Sequence, residues 1–294
     1  MPKSQHRNQT REISYAYSAQ TRSGRAMIRV MENATGRLGL IRRAKGYEHD
    51  VAGGRDFFQV MADRYGLSLD IRGGALSNIP KEGPLIVVAN HPYGILDGLM
   101  LGYILSVVRG DFRILAHRVF HLAEDLNRVI LPISFDETKD AVKLNIQTRK
   151  DALNYLEKGG AMGVFPGGTV STAVTPFAKP LDPGWRAFTA KMVAKSNATV
   201  VPIFFDGQTS RLFQMASHLH ATLRMGFMIK EFKAKVDSPL PIVIGAPLPQ
   251  SELDARRTDN KAMMEYLRTS TYALSTQPLD PREQGFEFEK RYKH

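Results

Sequence analysis

Residues 84–105 read PLIVVANHPYGILDGLMLGYIL, and this stretch constrains the chain more than any other. Leu85 to Val88 is a short apolar run rich in β-branched side chains, the pattern of a buried strand. Pro92 bars that strand from continuing within a sheet, because it lacks the N–H a ladder needs. Ile95, Leu96, Leu99, Met100, Tyr103 and Ile104 then recur at helical spacing. A histidine, His91, therefore falls at the carboxyl end of a strand, with Asp97 in the first turn of the following helix. In an open α/β sheet, ligands bind at that end of the strands.

The remainder alternates in the same way. Strands are expected at Leu67–Arg72, Phe112–His117, Val129–Phe135, Ala161–Phe165, Ala198–Asp206 and Leu240–Ala246. Helices are expected at Asp56–Tyr65, Val119–Arg128, Lys139–Lys158, Gly184–Ala194, Ser210–Leu219 and Arg257–Leu274. This order gives the fold class α/β, with a mostly parallel central sheet flanked by helices. The expected division is 1–50, a mobile N-terminus with a basic amphipathic helical segment; 51–276, the α/β domain; and 277–294, a charged tail.

A histidine takes a proton near neutral pH because its ordinary pKa is about 6.5. A carboxylate beside it fixes the tautomer and stabilises the imidazolium that forms. His91 and Asp97 suit those roles. The alternative makes Asp97 a first-turn charge favoured by the helix dipole and His91 an ordinary loop residue. The spacing has a consequence. Two helical positions six apart are rotated by about 240° and share no face. His91 must lie in the irregular turn before the helix, with Gly94 absorbing the extra residue.

Gly163 to Ser171 reads GVFPGGTVS, a strand running into a glycine turn. Backbone N–H groups in such a turn can hold an oxyanion or a phosphate, or the turn can be only a turn. Arg118 follows a strand and is either a binding cation or a solvated one; His117, beside it, is an alternative base to His91, and His121 reads as an ordinary helix or turn residue.

Charge and composition narrow the function classes. The 294 residues carry a formal net charge of +11, with 40 Lys and Arg against 29 Asp and Glu, which suits anionic partners. Between Gly24 and Tyr47, Arg25, Arg29, Arg37, Arg42, Arg43 and Lys45 alternate with apolar residues, broken near Ala34–Gly36. That segment reads as one or two basic amphipathic helices for an anionic membrane surface, or as a helix packed on the domain with solvated arginines. No apolar run reaches the ~20 residues of a membrane span. There is no cysteine, so no thiolate nucleophile or disulfide. No metal-ligand cluster, phosphate loop, dinucleotide fingerprint or nucleophile elbow is present, and nothing beyond charge points to nucleic acid.

Asn90-His91-Pro92-Tyr93-Gly94-Ile95-Leu96-Asp97-Gly98 resembles the signature of the glycerolipid, or lysophosphatidate, acyltransferase superfamily. Members carry His and Asp separated by four residues; here five intervene. The spacing is closer to a bacterial hemolysin-like branch, some of whose members acylate lyso-ornithine or glycine lipids. FRILAHRVF at 112–120 resembles the second block of that superfamily, where Arg118 would bind the acceptor. Phe165, Pro166, Gly168 and Thr169 match the third block, with Gly167 in place of a glutamate and Val170 in place of an arginine thought to bind glycerol phosphate. VVPIFFDGQTSRLF at 200–213 resembles the fourth block, so Gly207 and Ser210, with Asn90, Phe165 and Pro166, would shape the acyl pocket or the fold around it.

The resemblance implies an O-acyltransferase that moves a fatty acyl group from acyl-CoA or acyl carrier protein to the hydroxyl of a lyso-lipid. It implies His91 as base, Asp97 as its orienter, and Gly167, Gly168 and Thr169 around the oxyanion. It also implies no metal or organic cofactor, and a peripheral position on the cytoplasmic face of the inner membrane. Two other readings stay open: a non-catalytic basic protein on an anionic membrane, and a hydrolase using the same pair.

Overall fold

The computed structural model describes residues 14–19, 21–117, 124–134 and 138–287. Among these, seven strands form one sheet: β1 (Ser68–Gly73), β2 (Leu85–Ala89), β3 (Arg113–His117), β4 (Ile130–Ile133), β5 (Ala161–Val164), β6 (Thr199–Phe205) and β7 (Pro239–Ile244). Their order is β1-β7-β6-β2-β5-β3-β4. All neighbouring pairs are parallel except β6 and β7, which run antiparallel. β2 lies at the centre, as its unbroken apolar run requires: Leu85, Val87 and Ala89 face one core, Ile86 and Val88 the other, and all five are buried.

Helices cover both faces. α4 (Phe57–Tyr65), α5 (Ile95–Arg109) and α10 (Ala221–Lys233) supply Phe58, Met100 and Ile229 to the first core. α7 (Lys139–Glu157), α8 (Phe188–Lys195) and α12 (Asn260–Tyr272) supply Ala152, Met192 and Leu267 to the second. The remaining helices are α1 (Arg22–Thr35), α2 (Arg37–Ala44), α3 (Tyr47–Ala52), α6 (Glu124–Asn127), α9 (Arg211–Leu219) and α11 (Gln250–Asp254).

Several expectations need adjustment. The N-terminal segment keeps its expected break, at Gly36, as two helices, but α1 packs along α10 with Ile28 and Glu32 buried. Residues 14–19 are placed rather than loose: the Glu32 carboxylate accepts from Ser14 Oγ at 2.6 Å and from the Tyr15 amide at 2.5 Å. Helix α8 begins at Phe188, not Gly184, because the preceding residues are tied elsewhere: Arg186 N–H donates to Pro166 O and Trp185 Nε1 to Asp182. Helix α10 was not foreseen, since Arg224, Gly226 and Glu231 on its buried face blur the apolar period. Part of the charged tail also packs, with Arg268 donating to the carbonyls of Pro281 and Glu283.

Candidate active site

β2 ends at Ala89, and the next residue anchors the turn. The Asn90 side chain pairs with the backbone of Phe205 on β6, its Nδ2 donating to the carbonyl at 3.0 Å and its Oδ1 accepting from the amide at 2.7 Å. This prolongs the ladder by one side chain and sets where the chain leaves the sheet. Asn90 is therefore a structural member of the site, not a wall of a pocket. Gly94 then adopts φ 74° and ψ −125°, a conformation a side chain resists. A Cβ there would also come within 2.3 Å of Met228. Helix α5 starts at Ile95, so His91 lies in the irregular turn and not on the helix.

This bend brings His91 and Asp97 together. His91 Nδ1 lies 3.1 Å from Asp97 Oδ2, with the imidazole 18 % exposed and the carboxylate fully buried. The ring N–H is not in line with the oxygen, a looseness common before substrate binds. Oδ2 also accepts the amides of Tyr93 at 2.7 Å and Gly94 at 3.0 Å, so the carboxylate holds the turn as well as facing the imidazole. Oδ1 has no hydrogen-bond partner among the described residues. Burial pushes the Asp97 carboxyl above its ordinary range, with the His91 and Tyr93 contacts pulling the other way and nearby Asp182 adding to the rise.

The glycine turn meets the histidine from β5. The Phe165 ring stacks on the imidazole, centroids 4.4 Å apart at 30°. Gly168 N–H donates to Phe165 O at 3.0 Å, closing the turn. That amide, one of the two oxyanion donors expected, is therefore committed to the turn. Pro166 is buried, and its carbonyl accepts from Arg186 N–H. Thr169 Oγ1 lies 3.5 Å from Arg224 Nη2.

Two further groups at this centre belong to no sequence motif. Asp182 is wholly buried. Its Oδ1 accepts from His91 N–H at 3.1 Å and Ser171 Oγ at 2.6 Å, and its Oδ2 from Trp185 Nε1 at 3.0 Å. Ser171 N–H returns to His91 O at 2.8 Å. One carboxylate thus fastens the histidine turn to the segment leaving the glycine turn. Arg224 on α10 is also fully buried and donates to Val170 O at 2.8 Å, Thr172 Oγ1 at 2.7 Å and Ser217 Oγ at 2.8 Å. Neither sits in a motif, and nothing in local spacing singles either out.

The other expected residues fall into place around this centre. Gly207 leaves room for Tyr93: a Cβ would sit 1.6 Å from the tyrosine hydroxyl. Ser210 caps α9, its Oγ accepting from Phe213 N–H and donating to Glu231 at 2.5 Å, so it shapes the fold rather than a pocket. From the far end of the chain, the Tyr15 hydroxyl accepts Ile95 N–H at 3.3 Å at the start of α5, and burial raises the pKa of its phenol. Arg118 and His121 lie outside the described residues, as does the side chain of His117.

A family model described as acyltransferase matches residues 49–280. A lyso-glycine lipid O-acyltransferase of Phocaeicola vulgatus is 27% identical over 216 residues, covering 70% of this chain and 73% of that protein. One of the same name from Bacteroides thetaiotaomicron is 26% identical over 236 residues, covering 75% of this chain and 80% of its own length. Among solved structures, the 1-acyl-sn-glycerophosphate (LPA) acyltransferase PlsC of Thermotoga maritima aligns with a TM-score of 0.44 and 16% identity, over 90% of this chain and 87% of that one.

Proposed function

The chain belongs to the acyltransferase family, and from that premise we propose that it transfers a fatty acyl group from a thioester, acyl-CoA or acyl carrier protein, to the hydroxyl of a lyso-lipid. The observation that carries this reading is the His91–Asp97 contact of 3.1 Å at the carboxyl end of the central strand. Asp97 faces Nδ1, which leaves Nε2 to accept the proton of the acceptor hydroxyl as its oxygen attacks the thioester carbonyl. The buried carboxylate stabilises the imidazolium that results. The carbonyl oxygen becomes an oxyanion, for which the Gly167 amide is the proposed donor; one such donor is worth roughly 3–4 kcal/mol where measured. Collapse expels the thiolate, which takes the proton from Nε2. The acceptor is itself the nucleophile, so no acyl-enzyme forms.

For the acceptor we propose a lyso-aminolipid such as a lyso-glycine lipid. The names of the two curated relatives support it. So does Val170, which stands where the third block of phosphate-binding members carries arginine. Because the proposed acceptor is a lipid, the proposed place of work is a membrane surface, the cytoplasmic face of the inner membrane; no helix among the described residues is long and apolar enough to cross one.

The test is His91→Ala, assayed with labelled acyl-CoA and acyl carrier protein against lyso-glycine lipid and lysophosphatidate. Transfer should fall by about 10²–10⁴-fold with circular dichroism unchanged. Near-normal turnover would refute the base, and free fatty acid without lipid product would make the protein a hydrolase.

A further inference from the structure

We infer that the outer face of α9, with the loop tip at Val174–Phe177, is the surface by which the protein lies on an anionic lipid bilayer. The inner face of α9 is committed to the fold through Phe213, Gln214, Ala216 and Ser217. Its outer face shows Leu212, Met215 and Leu219, exposed by 45, 44 and 71 %. Residues at i, i+3 and i+7 of a helix lie within an arc of about 60°, so these three form one stripe.

The stripe continues onto a neighbouring loop. Thr172 and Leu181 pair across an antiparallel bridge, closing the intervening segment into a loop. Its tip carries Val174 and Phe177, exposed by 52 and 75 %. Arg211 Nη1 donates to Ala178 O at 2.8 Å, and Gln214 accepts Ala173 N–H at 2.9 Å, so the loop lies against α9. A phenylalanine three-quarters exposed beside three exposed aliphatic side chains needs a partner that is itself apolar.

Charge selects which apolar partner. Residues 166–181 and 207–230 contain no Asp or Glu, and beside the stripe they carry the exposed Arg211 and the part-exposed Lys179. The first turn of α1 reaches the same end of the fold: a Cβ on Gly24 would lie 3.8 Å from Thr222 Oγ1, three residues beyond Leu219. That brings the exposed Arg22 and Arg25 to the C-terminal end of the stripe. Glu287 stands at one border, next to Phe286, whose ring packs on His218. An apolar stripe rimmed by cations matches the interface of an anionic bilayer, with side chains in the acyl boundary and arginines among the headgroups. A protein partner would replace that lipid only with an acidic rim of its own, and a second copy offers the same basic one.

The position also suits the chemistry, and here the inference rests on the lyso-lipid reading. The chain that forms the loop tip leaves the glycine turn and is fastened to His91 through Ser171. A lyso-lipid drawn from the bilayer at α9 thus meets the same segment that approaches the imidazole.

The test is flotation of the full chain with vesicles of phosphatidylglycerol and phosphatidylethanolamine, against vesicles of phosphatidylcholine, at low and high salt. The wild type should float with the anionic vesicles, and less so as salt rises. Met215→Glu/Leu219→Glu and Phe177→Glu should each lower the bound fraction by about ten-fold or more. Val142→Glu, an equally exposed apolar site on α7, should not. Wild-type flotation by both variants overturns the inference, as does equal binding to phosphatidylcholine, or loss of a dimer with vesicle binding intact. His91→Ala should bind vesicles like the wild type, so failure of the catalytic reading and failure of the docking face read out separately.

Discussion

The ring of Phe165 lies against the imidazole of His91, with 4.4 Å between centroids and the planes tilted by 30°. β5 and β2 are adjacent in the sheet, paired from Leu85–Ala161 to Val88–Val164, so the residue following β5 arrives level with the turn that follows β2. The stack holds the imidazole on one face while Asp97 approaches its Nδ1 edge. Two restraints, one from the residue after β5 and one from the first turn of α5, leave the ring little freedom about its own bonds.

Phe165→Ala should therefore act on rate more than on fold. Phe165 is half-buried, so the loss of stability should be about 2 kcal/mol, below the range for a fully buried phenylalanine. The released imidazole should lower kcat by about 10–100-fold, with a smaller change in KM. Urea denaturation and steady-state transfer kinetics measure both, and unchanged kcat would show that the stack has no positioning role.

Asp97 should make stability depend on pH in a defined direction. Its folded pKa is raised above the ordinary 3.8, chiefly by burial. The folded state therefore holds the proton more firmly than the unfolded chain does. The contribution of Asp97 to stability is complete below the ordinary value and is lost as pH rises through the raised one. Asp97→Asn carries no such proton. The difference in unfolding free energy between the two proteins should move in favour of the variant as pH rises from 4 to 8. A gap that does not vary with pH would mean the carboxyl is not raised. At every pH the variant should transfer acyl groups far more slowly, by about 10²–10⁴-fold, because the orienting charge is gone.

Asp182 should prove as necessary as the residues of the motif. Asp182→Asn keeps one carboxamide oxygen but turns an N–H₂ toward donors that the carboxylate accepts: His91 N–H and Ser171 Oγ on one side, or Trp185 Nε1 on the other. The expected loss is about 2–4 kcal/mol of stability. A fall in kcat of about 10–100-fold should accompany it, as the His91 backbone loses its anchor. Native stability together with native turnover would remove Asp182 from the site.

Local sequence was enough for what depends on neighbours along the chain. The apolar run Leu85–Val88, the bar at Pro92 and the helical period from Ile95 specify strand, turn and helix by steric and solvation rules that act over a few residues. The six-residue offset of His91 and Asp97 required a non-helical turn with a permissive glycine, and the structure shows Gly94 at φ 74°. The acyltransferase family was legible for the same reason, because its motifs are short and contiguous. Tertiary structure alone decided the rest. Asp182 lies 91 residues from the His91 amide it accepts, and Asn90 lies 115 from the Phe205 backbone it pairs with. Gly168, chosen from sequence as an oxyanion donor, spends its amide on closing its own turn. Tyr15, assigned to a mobile leader, sits at the start of α5 because a buried glutamate on α1 holds its backbone. A buried polar group is stable only where the folded chain brings it partners, and local periodicity does not encode who those partners are.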